Sequence, residues 1–180
     1  MPSPIAHGSL AIPARAMLGV EARGFRGLMV WGLLAFAAVA PDVDIALSWI
    51  RTGRPFAEHG MYTHSLLIAP IFGVLFAGAL RAITGNVRLG RAVLIGTLLY
   101  ALHVLMDLVT MGSRGVSLLW PVVPERIASP FGVFVGVEHS DWRRVDLHLL
   151  TIGTEVAFGL VVWALTHAAR KRRRQGVSDA

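Results

Sequence analysis

Two apolar runs, Ala92 to Gly112 and Leu147 to Ala169, are each long enough to cross a bilayer core, which takes about 20 helical residues. Two shorter ones, Gly27 to Pro41 and Ser65 to Leu80, precede them. A chain of 180 residues that is 54% hydrophobic and 16% charged, with a mean hydropathy of +0.61, carries more apolar surface than one soluble core can hide. The expected fold is an all-α integral membrane bundle forming one membrane-embedded domain over residues 1–180. Residues 3 to 20 are small and apolar and supply a further helix, kinked at Pro13. That makes about five helices, with a long outer loop from Met111 to about Asp146 between the last two. Trp120 and Trp142 in that loop suit the membrane interface.

The placement of positive charge orients the bundle. Arg15, Arg23, Arg26, Arg81, Arg88, Arg91 and the tail from Arg170 to Arg174 fall on one face of a zigzag. Arg51, Arg54, Arg114, Arg126, Arg143 and Arg144 fall on the other. The richer face is expected to be cytoplasmic, in a bacterial-type inner membrane, with residues 170–180 as a basic cytoplasmic tail. That tail reads as a stop-transfer and headgroup-binding segment rather than a nucleic-acid arm, so membrane lipids are the expected partners and nucleic acid is not.

The chain has no cysteine, which excludes disulfides, thiolate nucleophiles and Cys-based zinc sites. It also lacks a Gly-x-Ser-x-Gly elbow and a Walker-type phosphate loop. What it does carry is a set of imidazoles and carboxylates where a lipid-facing helix has neither, and ionisable groups at membrane depth mark functional interiors. His103 and Asp107 are four apart, on one face of a helix. Asp42 and Asp44 follow Pro41, which is expected to end the second helix. His59 and His64 bracket a short turn, with Thr63 and Ser65 as N-caps of the helix that follows. The zigzag brings His7 to the same outer end. His148 and Glu155, seven apart on the last helix, are further candidates. One or two divalent ions held by His7, Asp42, Asp44, His59, His64, His103 and Asp107 would be ligated by mixed nitrogen and oxygen, which favours Zn, with Mn or Fe as alternatives.

The order His7-Gly8, Pro41-Asp42-Val43-Asp44, His59-Gly60-x-x-Thr63-His64-Ser65, His103-x-x-x-Asp107 and Gly115-Val116-x-Leu118-Leu119-Trp120-Pro121 resembles a family of metal-dependent hydrolases of the inner membrane, some of them labelled LexA-binding. The resemblance covers roughly residues 5 to 125. Members show His-Arg-Gly-x-Thr-His-Ser, whereas this chain runs His59-Gly60-Met61-Tyr62-Thr63-His64-Ser65. The missing arginine leaves Arg51 or Arg54 as substitutes. The His-x-x-x-Asp pair is also distantly similar to one in the zinc-dependent phospholipase C and S1/P1 nuclease group, which implies phosphate-ester hydrolysis.

The expected function is therefore a membrane-bound hydrolase acting on a phosphate ester in a lipid or lipid-linked substrate through metal-activated water, with Asp44, His64 and Asp107 in catalytic roles. Two other classes use the same residues. One is a non-enzymatic metal-binding protein or ion or proton transporter, and the other is a regulatory interaction protein that binds a partner through its basic segments.

Overall fold

A computed structural model describes residues 3–137 and 143–178. Helices α1 (Pro4–Ser9), α2 (Ala11–Leu18), α3 (Gly24–Val39), α4 (Val43–Thr52), α5 (Ala69–Thr84), α6 (Leu89–Leu108) and α7 (Val145–Ser178) make up most of it. The small remainder of regular structure is one parallel pair, β1 (Thr110–Met111) with β2 (Phe134–Val135), in which Thr110 faces Phe134. Among the described residues, three helical stretches are long and apolar enough to cross a membrane: Gly24–Thr52, Leu89–Leu108 and Val145–Arg172. The protein is thus a helical bundle with a long loop before its last helix, as the apolar runs predict.

Two prolines shape the helices, one of them differently from expectation. The first helix divides at Leu10 rather than at Pro13. Pro13 stands in the opening turn of α2, where its missing N–H is not needed, and the broken turn is the one before it. The second predicted helix, α3, does stop just before Pro41, at Val39, but the helical path continues. Pro41 opens a 3₁₀ turn, Ala40–Asp42, that runs directly into α4. A proline in the first turn of a new helical segment forfeits only a donor that would be unpaired there. The consequence is a stretch from Gly24 to Thr52 that is long enough to span, and a pair of aspartates at a helical joint rather than at a free end.

Each helix buries one stripe. On α3 it is Gly27, Val30, Leu34, Ala37 and Ala38, and on α5 it is Ala69, Gly73, Phe76, Ala77 and Leu80. These three- and four-residue steps are the helical period. The opposite faces expose Phe25, Leu28, Phe36, Ile71, Leu75 and Leu98, which suits contact with lipid. Helices α5 and α6 pack through reciprocal notches. A Cβ on Gly73 would stand 2.2 Å from Thr97 Oγ1 and 2.6 Å from the Val93 carbonyl, and one on Gly96 would stand 2.8 Å from the Phe76 ring. Small residues at such crossings let two helices approach backbone to backbone, the packing that substitutes for hydrophobic drive inside a membrane.

The bundle has two chemically different ends. The starts of α3 and α6 and the ends of α2, α5 and α7 gather arginines, while the end of α6, the joint between α3 and α4, and His7 on α1 gather at the other end. Leu34, Phe76, Leu80, Ile95 and Leu99 fill the core between them. The long loop folds back under the second end, where Ser117 N–H donates to the Gly60 carbonyl at 2.9 Å and Leu66 N–H to that of Leu118 at 2.9 Å. Substituting Gly73→Leu is expected to force α5 off α6 and cost roughly 1–3 kcal/mol. A lowered thermal unfolding midpoint in detergent, with Gly78→Leu as a control at a position with open space, checks this.

Candidate metal centre

The chemistry on α6 grows out of its packing stripe. Ala92, Ile95, Gly96, Leu99 and Tyr100 are buried, and the same face continues to His103, Met106 and Asp107. His103 and Asp107 are therefore delivered to the bundle interior by the helical period that buries the apolar residues below them. His103 Nδ1 donates to the Ala38 carbonyl on α3 at 2.8 Å, which fixes its tautomer and aims Nε2 at the cluster.

The joint at Pro41 places the two aspartates in different positions. Asp42, the more exposed, has Oδ1 3.3 Å from His103 Nε2 and 3.7 Å from His64 Nε2. Asp44, buried on α4, contacts His59 Nδ1 at 2.8 Å and His64 Nδ1 at 3.0 Å, and accepts from the Gly60 N–H at 2.9 Å. It stands behind both imidazoles. Carboxylates in that position set ring orientation and raise ligand basicity for a metal on the far nitrogen. Gly60 makes this contact from a left-handed backbone with φ of +82°, where a side chain would be strained and would also meet the Gly115 carbonyl.

The loop between α4 and α5 is tied down on three sides. Thr63 Oγ1 donates to the Pro41 carbonyl at 2.6 Å, Tyr100 O–H donates to the Thr63 carbonyl, and Ser65 Oγ donates to the Trp120 carbonyl at 2.6 Å. The Thr63 and Ser65 hydroxyls thus pin the His64 turn, Ser65 Oγ also accepting from the Leu67 N–H at 3.2 Å, and neither caps α5, which starts only at Ala69, after Ile68. With the turn so held, His64 Nε2 lies 2.9 Å from Asp107 Oδ2, and His59 Nε2 lies 3.8 Å from the same oxygen. His7 on α1 stacks on His103 with ring centroids 3.8 Å apart, and its Nε2 is 3.4 Å from Asp107 Oδ1.

These atoms form two overlapping groups that share Asp107. Asp42, His59, His64 and Asp107 make one, and His7, His103 and Asp107 the other, with candidate ligand atoms within 4.8 Å of one another in each. Both nitrogens of His7, Asp42 Oδ1, His103 Nε2 and Asp107 Oδ1 are buried without a hydrogen-bond partner. Each such atom costs roughly 1–3 kcal/mol if nothing satisfies it. Orphaned imidazole and carboxylate atoms converging on shared points fit a divalent cation, whose charge also offsets the three carboxylates. Burial alone would lower the His64 pKa, but contacts with Asp107 and Asp44 outweigh it and hold it at about 9. A cation competes with that proton for the same atoms, so its uptake releases it.

Six of the seven residues expected as ligands thus meet in the two groups, and Asp44 is instead engaged with His59 and His64. Glu155 is buried on α7, but its carboxylate accepts from the backbone N–H and the hydroxyl of Ser3, which fastens α1 to α7. His148 is half-buried on α7 and joins neither group. Trp120 packs edge-on against Tyr62, with centroids 5.7 Å apart. Trp142 lies outside the described residues.

Beside the cluster is a cavity of about 130 Å³ whose wall includes His59, Gly60, Asp107, Ser113, Arg114 and Arg126. Arg114 donates to the Phe56 carbonyl at 2.9 Å, and Arg126 to that of Gly115 at 3.4 Å. These arginines supply positive charge next to His59. Arg51, a substitute considered from sequence, instead pairs with Glu58 at 3.5 Å and lies over the Tyr62 ring, and Arg54 is exposed away from the cavity. No sequence signal singled out Arg114 or Arg126, because they reach the site only through the folding back of the long loop.

Asp44→Asn should weaken cation affinity about 10- to 100-fold while leaving the stoichiometry intact, whereas Asp107→Ala should abolish stoichiometric uptake. Titration of metal-stripped protein with Zn, followed by elemental analysis, distinguishes the two.

The model of the YdjM inner membrane protein family matches residues 4–178, which include every residue of the cluster. The inner membrane protein YbcI of Escherichia coli (strain K12) is 31% identical over 138 residues, covering 74% of this chain and 75% of that protein. No solved structure matches the chain. With nearly its whole length matched, the chain belongs to the YdjM inner membrane protein family.

Proposed function

We propose that the protein is a metal-dependent hydrolase that cleaves a phosphate ester in a lipid or lipid-linked substrate. The observation that carries this reading is the convergence of orphaned His and Asp atoms beside a small cavity walled by two arginines. One or two divalent ions fit the mixed donors, Zn foremost, with Mn or Fe as alternatives. When bound, such an ion supplies Lewis acidity and a nucleophilic water at neutral pH.

The chain's own residues divide the remaining work. Asp107 belongs to both ligand groups and joins the two, with Oδ2 facing His59, His64 and His103 and Oδ1 facing His7. Asp44 and the Ala38 carbonyl keep the rings of His59, His64 and His103 turned inward. Arg114 and Arg126 are placed to bind phosphoryl oxygens and the charge that grows on them. Asp42, which belongs to one group only and is the more exposed carboxylate, accepts the proton of the attacking water. Phe56, Val116 and Val137 give the cavity an apolar side, and Val122, Phe131 and Val133 stand exposed on the same loop, surfaces suited to the acyl or prenyl part of a lipid substrate.

The arginine-rich end is assigned to the cytoplasm by the positive-inside bias, so the cluster lies near the outer face of a multi-pass protein and α7 ends inside. A transmembrane ion or proton path needs polar groups through the core. The interior between the two ends is filled by Leu34, Phe76, Leu80, Ile95 and Leu99, which favours a one-sided site over a path.

Purified protein carrying Zn is expected to hydrolyse a member of a panel of phosphodiesters and lipid phosphates, and chelation should remove the activity. His103→Ala should lose both metal and turnover. Arg126→Gln should keep its metal and lose turnover about 10- to 100-fold, the loss of one strong charged contact to the transition state. A metal-loaded wild type inactive across the panel, or activity that survives chelation, contradicts the proposal.

A further inference from the structure

The far end of the bundle carries a second built feature that the hydrolase reading does not use. A cavity of about 630 Å³ opens there between the turn Gly19 to Arg23 and the turn Thr84 to Arg88, which connects α5 to α6. Arg23, Arg26, Arg88 and Arg91 line it, and Glu21 is the only acid in its wall. Among the described residues none of these four arginines has an acidic partner within salt-bridge distance. The Arg91 guanidinium reaches the Gly19 turn, its Nη1 standing 3.8 Å from where a Cβ on Gly19 would be.

Two further features make the same space electropositive. Helices α3 and α6 both begin at this cavity, and neither has a side-chain cap or an acid in its first turn. Their free N–H groups and dipoles add partial positive charge to that of the four guanidinium groups. A smaller cavity on the other side of the same turn is walled by Arg15, Arg23 and Arg170, so the charge continues to α7. Arg15 itself is engaged in holding the turn, through the carbonyls of Val20 and Ala22. That leaves Glu21 as the one carboxylate facing the four guanidinium groups of the larger cavity.

Four guanidinium groups lining one cavity repel one another, and an anion between them relieves that repulsion. We propose that this cavity is a binding site for a phosphate group, supplied by the headgroup of an acidic phospholipid or by a soluble phosphate compound. Arginine forks match phosphate oxygens bidentately, and the cavity is large enough for a headgroup. The site is independent of the cluster at the opposite end and of the reaction proposed there.

The test compares charge-matched variants of the full chain. Arg88→Gln/Arg91→Gln removes two cavity arginines, Arg23→Gln/Arg26→Gln removes the other two, and Arg81→Gln/Arg172→Gln removes two charges at the same end that do not line the cavity. One arm titrates phosphatidylglycerol into protein in neutral detergent and reads bound lipid by native mass spectrometry. The other titrates inorganic phosphate and reads heat. The expected result is saturable binding in one arm, weakened roughly tenfold in each cavity variant and unchanged in the Arg81/Arg172 control. Binding in the lipid arm identifies a headgroup as the source, and binding in the phosphate arm a soluble ligand. Equal weakening in all three variants, or no saturable binding in either arm, overturns the proposal. If one cavity variant fails to fold, as judged by its melting midpoint, the other carries the comparison.

Discussion

The structure turns on a buried carboxylate. Asp107 has almost no exposure at the end of a helix that is long and apolar enough to cross a membrane, and a bare anion there is strongly disfavoured. Four imidazoles converge around it, from α1, α6 and the turn between α4 and α5, and a second aspartate comes from the joint between α3 and α4. Each arm of the site can be understood as a means of bringing a partner to that carboxylate. Histidine and cation are the natural partners, since both carry positive charge or donors and both tolerate a protein interior when fully ligated.

The rest of the fold makes that convergence rigid. The glycine notches at Gly73 and Gly96 bring α5 hard against α6. Thr63, Ser65 and Tyr100 then tie the turn that precedes α5 to the Pro41 joint, to the long loop and to α6. Ser3 and Glu155 hold α1 against α7, so that His7 stays stacked on His103. The cluster is therefore preorganised by contacts among residues that are not themselves ligands, as a site that must discriminate charge at short range requires.

Much of this was legible in the sequence, for physical reasons. The three- and four-residue spacing of buried positions on α6 runs unbroken into His103 and Asp107, so periodicity alone put both on the inner face. The separation of arginines from the His and Asp residues likewise anticipated two chemically distinct ends. Three things were not legible. Whether a new helix starts at once after the one that stops before Pro41 depends on the packing of the chain after it, and only the immediate restart sends Asp44 behind the histidines and Asp42 in front of them. Glu155 reads as a member of the site because it stands seven residues from His148 on the last helix, yet its partner is Ser3, far away in the chain. Arg114 and Arg126 sit in a loop without periodicity, and their place beside His59 follows from long-range backbone hydrogen bonds that no local pattern encodes.

The central claim is that this cluster is a metal centre and not a set of histidines satisfied by carboxylates. X-ray absorption at the metal edge of the purified, Zn-loaded protein tests it most directly. The account predicts one or two ions per chain with a first shell of nitrogen and oxygen at about 2.0–2.2 Å and the outer-shell scattering of several imidazole rings. An ion surrounded only by water oxygens, or none retained after desalting, would contradict it.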